Sequence, residues 1–461
     1  MSQSAPPPSA APSAPDPSKR GVVLRTPIPG PKALALIARD RAALMTTTRV
    51  APIVADSGDG MWITDVDGNR LLDFSAGVAV NALGYAHPEV VRAVRDQVGR
   101  LSHFAGTDYY YEVQVRLAER LAGIAPGAFP KKVFFTNSGT ESAEAALKIA
   151  RWHRQRPIVL GLLGSFHGRS MGALSLTSSK PVQRARYAPF VGGGHHIPAP
   201  YCYRCPYQLE YPSCDLYCAK ILKELYFETS IPPDDVAAMI VEPVLGEGGY
   251  VVPPKGWHPT IKSILDEHGI LFIDDEVQAG MGRTGRWFAI EHHGVVPDIV
   301  TMAKALGGGL PMGAVVVRAD LDFPVAGAHS STFGGNPIAA RAALATLDVL
   351  EKDRLLDNAR LQGDYLLGRL RELQARHEEI GDVRGLGLLT ATEFVRDRST
   401  KAPAPRFRDR VIEESYRRGL ILLPCGRSTI RYIPPLIVQR AEIDEAIEIV
   451  DAAIGAARAR E

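Results

Sequence analysis

The chain has 461 residues, of which 46% are hydrophobic and 23% are charged, and its formal net charge is +2. This length and composition are typical of a globular protein with more than one domain, and the near-neutral charge gives no reason to expect nucleic acid or an anionic membrane as a partner. No apolar run reaches the roughly 18 residues that a membrane helix needs, and the first 20 residues lack the apolar segment of a secretory signal. We therefore expect a cytoplasmic protein whose Pro-, Ala- and Ser-rich residues 1–20 form a disordered tail.

Residues 60–74 predict a β-hairpin that turns at Asp67-Gly68, because a short apolar run stands on each side of an Asp-Gly pair. Helical spacing of apolar residues follows, and from residue 132 onward short apolar strands alternate with helical stretches. The expected helices lie at 88–101, 112–124, 141–154 and 259–268, and the expected strands at 132–136, 158–163, 236–241, 271–274, 299–303 and 314–317. This alternation predicts an α/β fold with a mostly parallel sheet that helices cover on both faces.

A second, smaller α+β domain is expected after this sheet. Helices are predicted at 337–351 and 360–376, and residues 384–461 mix short strands with further helices at 409–418 and 441–458. The expected division is a tail at 1–20, an N-terminal segment at 21–87 that joins the small domain, a large domain at 88–340 and a C-terminal small domain at 341–461.

An insertion in the large domain, residues 200–220, is rich in cysteine. Four of the five cysteines fall within 17 residues with the spacing C-x2-C-x8-C-x3-C, at Cys202, Cys205, Cys214 and Cys218. Four thiolates can hold structural zinc, while reduced thiols and a disulfide pair are the alternatives. Because the second pair is loosely spaced and no partner histidine is evident, we expect a structural insertion and no catalytic metal.

Lys304 lies between an apolar strand and three glycines, and the chain becomes apolar again directly afterwards. A solvated lysine on a loop is the ordinary interpretation, because lysine is rarely buried. An amine that is kept dry is easier to deprotonate, however, and a neutral amine condenses with a carbonyl to form a Schiff base. Which interpretation holds depends on the residues that the fold brings near Lys304.

Two strand ends carry residues that could meet Lys304, because ligands of a parallel sheet bind beyond the carboxyl ends of its strands. Ser138, Gly139 and Thr140 lie between a strand and a helix, where backbone N–H groups favour a phosphate; a plain helix cap is the alternative. Asp275 is the middle one of three acids after an apolar strand, where it would need a cation such as a protonated pyridine nitrogen. A magnesium site is the alternative there.

Phe166 follows another strand and could place an aromatic face against a planar ring, although a core position is also open. Glu242 and Glu247 end a further strand and its loop, and solvated loop acids are the alternative for both. Arg431 is a lone cation in an apolar run, which needs either an internal glutamate or a substrate carboxylate as its partner. A phosphate cradle, an acid for a ring nitrogen, an aromatic plate and a Schiff-base lysine together describe a site for pyridoxal phosphate (PLP).

Six motifs occur in the order in which one family has them: Asn-Ser-Gly-Thr-Glu, Phe-His-Gly-Arg, Val-Glu-Pro, Asp-Glu-Val-Gln-x-Gly, Ala-Lys-x-Leu-Gly-Gly-Gly-x-Pro-x-Gly-Ala and Ser-Thr-Phe-Gly-Gly-Asn-Pro. From about residue 49 to residue 454 the chain therefore resembles the class III aminotransferases of subgroup II, the ω-amino-acid type, which are PLP enzymes of fold type I. The resemblance implies a large domain with a mostly parallel, seven-stranded sheet and a smaller α+β domain.

The resemblance also implies roles for the candidate residues. Lys304 would bind the cofactor covalently and shuttle a proton, while Asp275 would pair with the ring nitrogen and keep the ring an electron sink. Gln278 would bond near the phenolic oxygen, and Val277 and Phe166 would enclose the ring. The implied cofactor-binding set is Ser138, Gly139, Thr140, Phe166, Glu242, Asp275, Val277, Gln278, Lys304 and Thr332.

The same resemblance extends to the substrate and to a second subunit. Thr332 resembles the threonine that reaches the phosphate of the neighbouring subunit, which implies a homodimer with shared active sites, or a dimer of such dimers. Arg431 would bind a substrate carboxylate. Glu247 resembles the gating glutamate that neutralises this arginine for an ω-amine and swings aside for a dicarboxylate such as 2-oxoglutarate. Val78 stands where animal-type ornithine aminotransferases carry a substrate-binding tyrosine, which favours donors like 4-aminobutyrate.

The cysteine-rich insertion resembles that of a prokaryotic and archaeal branch, which contains 4-aminobutyrate aminotransferases, ornithine aminotransferases and amino-acid racemases. We expect transfer of an amino group from a 4-aminobutyrate- or ornithine-like donor to 2-oxoglutarate, giving glutamate, with acetylornithine and lysine as further donors to test. A racemase is the alternative, because it would use the same Lys304 and Asp275 but return the proton to the other face of Cα.

Overall fold

The structure is a computed structural model that describes residues 21–460, so the tail expected at 1–20 lies outside the described residues. The first part of the described chain contains α1 (Pro31–Ala43), β1 (Ala55–Asp59), β2 (Trp62–Asp65), β3 (Arg70–Asp73), α2 (Ala76–Ala79), α3 (Pro88–Val98) and α4 (Glu112–Ile124). The Asp65 carboxylate accepts hydrogen bonds from the backbone N–H and the side-chain amide of Asn69, at 2.8 and 2.7 Å. These bonds close the turn between β2 and β3, which confirms the predicted hairpin.

A seven-stranded sheet forms the middle of the molecule. Its part of the chain contains β4 (Lys131–Thr136), α5 (Gly139–Arg154), β5 (Ile158–Leu162), α6 (Met171–Leu176), β6 (Gly194–Ile197), α7 (Tyr217–Ile221), α8 (Phe227–Thr229), β7 (Val236–Val241), α9 (Trp257–Glu267), β8 (Leu271–Asp275), β9 (Ile299–Met302) and β10 (Gly313–Arg318). The strand order is β4-β10-β9-β8-β7-β5-β6, and β10 runs antiparallel to both of its neighbours while the other pairs are parallel. Every residue of β7 and β8 is buried, as expected for a sheet covered on both faces, and the predicted α/β fold is confirmed.

Two smaller sheets involve the last part of the chain. It contains α10 (Pro337–Lys352), α11 (Leu355–Arg376), β11 (Ile380–Leu386), β12 (Leu389–Asp397), β13 (Ala402–Pro403), α12 (Pro405–Arg417), β14 (Leu420–Ile421), β15 (Leu423–Cys425), β16 (Thr429–Tyr432) and α13 (Arg440–Arg458). One sheet has the order β11-β12-β16-β15, and the other has the order β1-β2-β3-β14. Because β3 pairs in parallel with β14, strands from both ends of the described chain share this second sheet.

The structure contains elements that the sequence did not predict, and it excludes one alternative for the cysteine-rich insertion. Helix α1 was not predicted, because its apolar residues do not share one face and only Ala33 is buried. In the cysteine-rich insertion, Cys202, Cys205, Cys214 and Cys218 are all free thiols, so the disulfide alternative is wrong for this structure. Within residues 21–460, no three His, Cys, Asp or Glu side chains are grouped to hold a metal ion. The same residues contain no helix long and apolar enough to cross a bilayer.

Candidate active site

A cavity of about 900 Å³ opens beyond the carboxyl ends of the parallel strands. Side chains that follow β4, β5, β7, β8 and β9 converge on it, as expected for an open sheet of this kind. The sequence candidates that line it are Ser138, Gly139, Thr140, Phe166, Glu242, Glu247, Asp275, Val277, Gln278, Lys304 and Arg431. Segments that are up to almost 300 residues apart in the sequence thus form one site.

Lys304 begins the short turn that follows β9, and its backbone φ is +45°. A residue with a Cβ pays a steric cost in this left-handed region, and such strain is concentrated at functional sites. Burial lowers the pKa of the Lys304 amine and the nearby Arg431 lowers it further, while Glu247, Asp275 and Glu242 oppose the shift. The net pKa is below that of an ordinary lysine, so the amine is more readily available in its neutral, nucleophilic form.

Asp275 ends β8, and its carboxylate is held from three directions. His167 Nδ1 lies 2.7 Å from Asp275 Oδ2, while the Thr301 hydroxyl and the Val277 backbone N–H donate to Oδ1 at 3.2 and 3.1 Å. The sequence did not single out His167, although it stands next to Phe166 in the Phe-His-Gly-Arg motif. The carboxylate is therefore fixed in position, as a partner for a cationic ring nitrogen must be.

The other two acids of this run do not line the cavity. Successive side chains of a strand point to opposite faces, so Asp274 and Glu276 lie together on the face away from Asp275. Both are buried, and burial together with their mutual proximity raises the pKa of the Asp274 carboxyl. The three carboxylates therefore do not converge on one point, and within residues 21–460 this run contributes to no group of three metal-ligating side chains.

The Ser138–Thr140 segment forms the start of α5. The Ser138 hydroxyl accepts from the backbone N–H of Glu141 at 3.4 Å, and the Thr140 hydroxyl lies 2.6 Å from that of Ser170. A Cβ on Gly139 would come within 2.8 Å of Val277, so glycine is required for this close packing. The N–H groups of the first helical turn have no partner within the helix, and they favour an anion such as a phosphate beside them.

Glu242 is a buried support for two cavity segments. Its two oxygens accept from the backbone N–H groups of Phe166 and Gly246, at 2.8 and 2.9 Å. Burial raises the pKa of Glu242 to about 7; Asp275 also raises it, while His167 and the two backbone bonds act against the shift. The solvated-loop alternative is therefore wrong for this acid.

Gln278 offers a donor to the cavity. The Tyr250 hydroxyl donates to Gln278 Oε1 at 2.7 Å, which fixes the orientation of the amide and leaves its nitrogen as the free donor. Tyr250 is fully buried, and no local pattern of the sequence indicates its contact with Gln278.

A cluster of charges lies at another wall of the cavity. Arg431 Nη1 is 2.5 Å from Glu247 Oε1, and Lys180 Nζ is 3.2 Å from Glu247 Oε2. Burial raises the pKa of Glu247, but Arg431 and Lys180 lower it by more, so its net pKa is below the ordinary value. Of the two partners left open for Arg431, the structure shows the internal glutamate. Lys180 and Arg169, which also line the cavity, were not among the sequence candidates.

Two further residues of interest lie at different places. Val78 lines the cavity with a φ of +65°, and its neighbours Ala76, Gly77 and Ala79 also have positive φ values. A β-branched residue in this region is a clear outlier, so the loop stores strain at the cavity wall. Thr332 does not line the cavity: it is exposed, beside Phe333, whose side chain is 59% exposed.

These residues fit PLP. The cavity presents an amine with a lowered pKa, a fixed carboxylate, a helix start that favours an anion, and apolar side chains such as Phe166 and Val277. The family model for class-III aminotransferases matches residues 45–454. The chain belongs to the class-III aminotransferases. It is a PLP-dependent enzyme with the α/β fold of these transaminases, fold type I.

Relatives of this aminotransferase are named for different activities. It is 41% identical to a leucine/methionine racemase of Thermococcus litoralis over 406 residues, which are 88% of this chain and 91% of the relative. It is 40% identical to a 5-aminovalerate aminotransferase of Pseudomonas aeruginosa over 405 residues, which are 87% and 93%. Among solved structures, an amine transaminase from an uncultivated Pseudomonas species in its PLP-bound form has a TM-score of 0.82 and 33% identity, covering 88% of this chain and 95% of that one.

Proposed function

We propose that the enzyme transfers the amino group of an ω-amino acid, with 4-aminobutyrate or an ornithine-like amine as donor, to 2-oxoglutarate, giving glutamate. The observation that carries this proposal is the Arg431–Glu247 pair at the cavity wall, with Lys180 on the other oxygen of Glu247. While an arginine is paired with a glutamate, the pair carries no net charge. When the glutamate moves away, the arginine can bind a substrate carboxylate. The similarity of the chain to a 5-aminovalerate aminotransferase supports an ω-amino acid as the donor.

The residues at the base of the cavity would hold the cofactor. Bound PLP supplies an electron sink that makes the Cα–H bond of an amino acid acidic. Lys304 would bind the cofactor and then move a proton to and from the substrate carbon, for which a lowered pKa suits an amine near neutral pH. Asp275 would keep the ring nitrogen protonated, and Ser138–Thr140 would bind the phosphate.

The two substrates differ in what they need from Arg431. A donor such as 4-aminobutyrate carries no carboxylate next to its amine, so Glu247 would stay on Arg431 and neutralise it. 2-Oxoglutarate carries a carboxylate next to the keto carbon that receives the amino group, so Glu247 would leave Arg431 free for this carboxylate, and Lys180 remains as the partner of Glu247. Arg169 and Lys180 offer the cavity further cations for the distant carboxylate of either substrate.

A racemase is the second candidate, which the 41% identity to a leucine/methionine racemase favours. Lys304 and Asp275 serve both reactions, so a substrate assay has to decide. Purified enzyme is supplied with 4-aminobutyrate, ornithine, acetylornithine or lysine plus 2-oxoglutarate, and beside this with single L-amino acids and a chiral detector. Glutamate formation with an ω-amine supports the proposal; L-to-D conversion without an oxo acid overturns it in favour of the racemase.

The assembly and domain division are part of the same proposal. We infer a homodimer with shared active sites, or a dimer of such dimers, in which Thr332 reaches the phosphate site of the partner subunit. The exposed apolar residues Phe333, Tyr110 and Met45, the last two 94% and 93% exposed, support a covered surface. If light scattering shows that the fully active enzyme is a monomer, the proposed shared active site is wrong. The boundaries at residues 87 and 340, and the cytoplasmic location, stay predictions.

A further inference from the structure

The loop that carries Glu247, residues 246–250, has its backbone held at three points. Gly246 N–H donates to Glu242 Oε2 at 2.9 Å, and Gly426 N–H donates to the Glu247 carbonyl at 2.8 Å. The third point is the Gly249 carbonyl, which accepts from Arg384 Nε at 2.9 Å and from Nη2 at 2.6 Å. Because the backbone is fixed, Glu247 can exchange partners only by rotation of its side chain.

Arg384 is well suited to hold this loop. Its side chain is only 10% exposed, and Nη1 donates to Asp382 at 2.6 Å. Nη2, which bonds the Gly249 carbonyl, also lies 2.8 Å from Glu393 Oε2 and 3.3 Å from the Thr429 hydroxyl. The planar guanidinium is therefore fixed by two carboxylates while it bonds one carbonyl from two nitrogens. A Cβ at Gly249 would come within 3.1 Å of Arg384 Nη2, so this glycine allows the close contact.

Glu393 links Arg384 to the cysteine-rich insertion. The Tyr201 hydroxyl and Arg204 Nε both donate to the Glu393 carboxylate, which is nearly inaccessible to solvent. Arg204 also donates to the Lys401 carbonyl at 2.6 Å. Tyr201 and Arg204 flank Cys202, so the insertion contributes two polar side chains to this network and gains a role that its thiols do not explain.

We propose that Arg384 is a positioning residue for Glu247, and that the cysteine-rich insertion supports it through Glu393. This inference rests on the proposed function, because it assigns Arg384 to the exchange of Glu247 between Arg431 and Lys180. A loop with a loosened backbone weakens the Glu247–Arg431 pair. Arg431 is then left without Glu247 as its partner when an ω-amine donor binds, which disfavours the donor, but it is available to the carboxylate of 2-oxoglutarate.

The test uses Arg384→Lys in the PLP-loaded enzyme, which keeps a positive charge between Asp382 and Glu393 but loses the two-point bond to Gly249. We expect the KM for the donor, 4-aminobutyrate, to rise about 3- to 10-fold while the KM for the acceptor, 2-oxoglutarate, stays constant or falls, because Glu247 is disturbed indirectly, with an effect the size of one hydrogen bond of ordinary strength. Arg398→Lys is the matched control. Arg398 also bonds backbone carbonyls, those of Glu378 and His377, but has no connection to Glu247, so both KM values should stay unchanged.

Glu247→Gln sets the reference for this test. It should shift the ratio of the two KM values in the same direction and further, and the double variant with Arg384→Lys should be no worse than Glu247→Gln alone, because both act on one contact. Effects that multiply in the double variant, or an Arg384→Lys variant that lowers kcat and leaves the KM ratio unchanged, overturn the inference. If Glu247→Gln itself leaves the ratio unchanged, the proposed function fails instead.

A milder variant covers the case in which Arg384→Lys does not fold. Arg204→Lys weakens the support for Glu393 from outside the cavity, and we expect the same shift of the KM ratio at about 2-fold. If the ratio of the two KM values is unchanged in a folded Arg204→Lys enzyme, the insertion does not support Arg384 through Glu393.

Discussion

The surroundings of Lys304 and of Arg431, two regions of one cavity, shift the pKa of a buried cation in opposite directions. At Lys304, burial acts on a cation, nearby Arg431 adds to its effect, and the pKa falls. At Arg431, burial also acts on a cation, but Glu247 lies 2.5 Å away and the net pKa of the guanidinium rises. Burial alone therefore does not decide whether a charge persists; the nearest partner does. The enzyme thus keeps a reactive amine and a permanent charge in one cavity.

The strongest test of the reactive region is Lys304→Ala. Turnover should fall by at least about 10³-fold, because within residues 21–460 no other amine stands at the end of this strand to bind the cofactor and move the proton. The assay is amino-group transfer at saturating substrate, with visible absorbance as a check of bound cofactor. Lys223→Ala, a surface lysine paired with Glu267, is the control and should be fully active. A Lys304→Ala enzyme that keeps its turnover would refute the assignment.

Asp275→Asn keeps the size of the side chain but removes its charge. We expect kcat to fall about 10²- to 10³-fold, because the ring nitrogen loses its anionic partner while His167 and Thr301 stay in place. Asp274→Asn is a sharp control. Asp274 does not line the cavity and its pKa is raised by burial, so the amide resembles the acid that is already present. If kcat falls equally in the two variants, the assignment of Asp275 as the partner of the ring nitrogen is wrong.

At the paired region, Arg431→Met should raise the KM for the acceptor, 2-oxoglutarate, by about 10- to 100-fold. A lost charge-assisted pair to a carboxylate corresponds to roughly 1.5–3 kcal/mol. Steady-state kinetics with a fixed donor measure this, and Lys180→Met serves for comparison. Lys180 is 35% exposed and also contacts Glu247, so its effect should be smaller. The opposite order would move the carboxylate site from Arg431 to Lys180.

The smallest effect concerns pH and Glu242. Its pKa is about 7 in the folded protein against 4.5 ordinarily, so the folded state binds the proton more tightly than the unfolded state. Its contribution to stability is complete below pH 4.5 and is lost as the pH rises through about 7, by about 3–4 kcal/mol at most. Urea unfolding of the cofactor-free protein should therefore show a weaker fall over this range in Glu242→Gln than in wild type. Parallel pH profiles for the two proteins would contradict it.

The sequence predicted what local patterns encode. The strand ends before Ser138 and at Asp275 could be found because a parallel sheet collects its ligands at one edge, and the structure has both in the cavity. The Arg431–Glu247 pair and the Lys180–Glu247 pair join residues 184 and 67 positions apart, and no local pattern of the chain specifies such contacts. Packing of distant segments decides them, and Arg384 was missed for the same reason.

The left-handed backbone at Lys304 and Val78 has a consequence for engineering. Each such position costs of the order of 1–3 kcal/mol, and glycine would remove the cost at either one. In the cofactor-free state, Lys304→Gly should therefore give an inactive protein that melts at a higher temperature than wild type, and Val78→Gly a more stable one with a wider cavity. A screen that selects for heat resistance alone would enrich both variants, including the inactive Lys304→Gly. Thermal selection of this enzyme therefore has to be coupled to a measurement of activity.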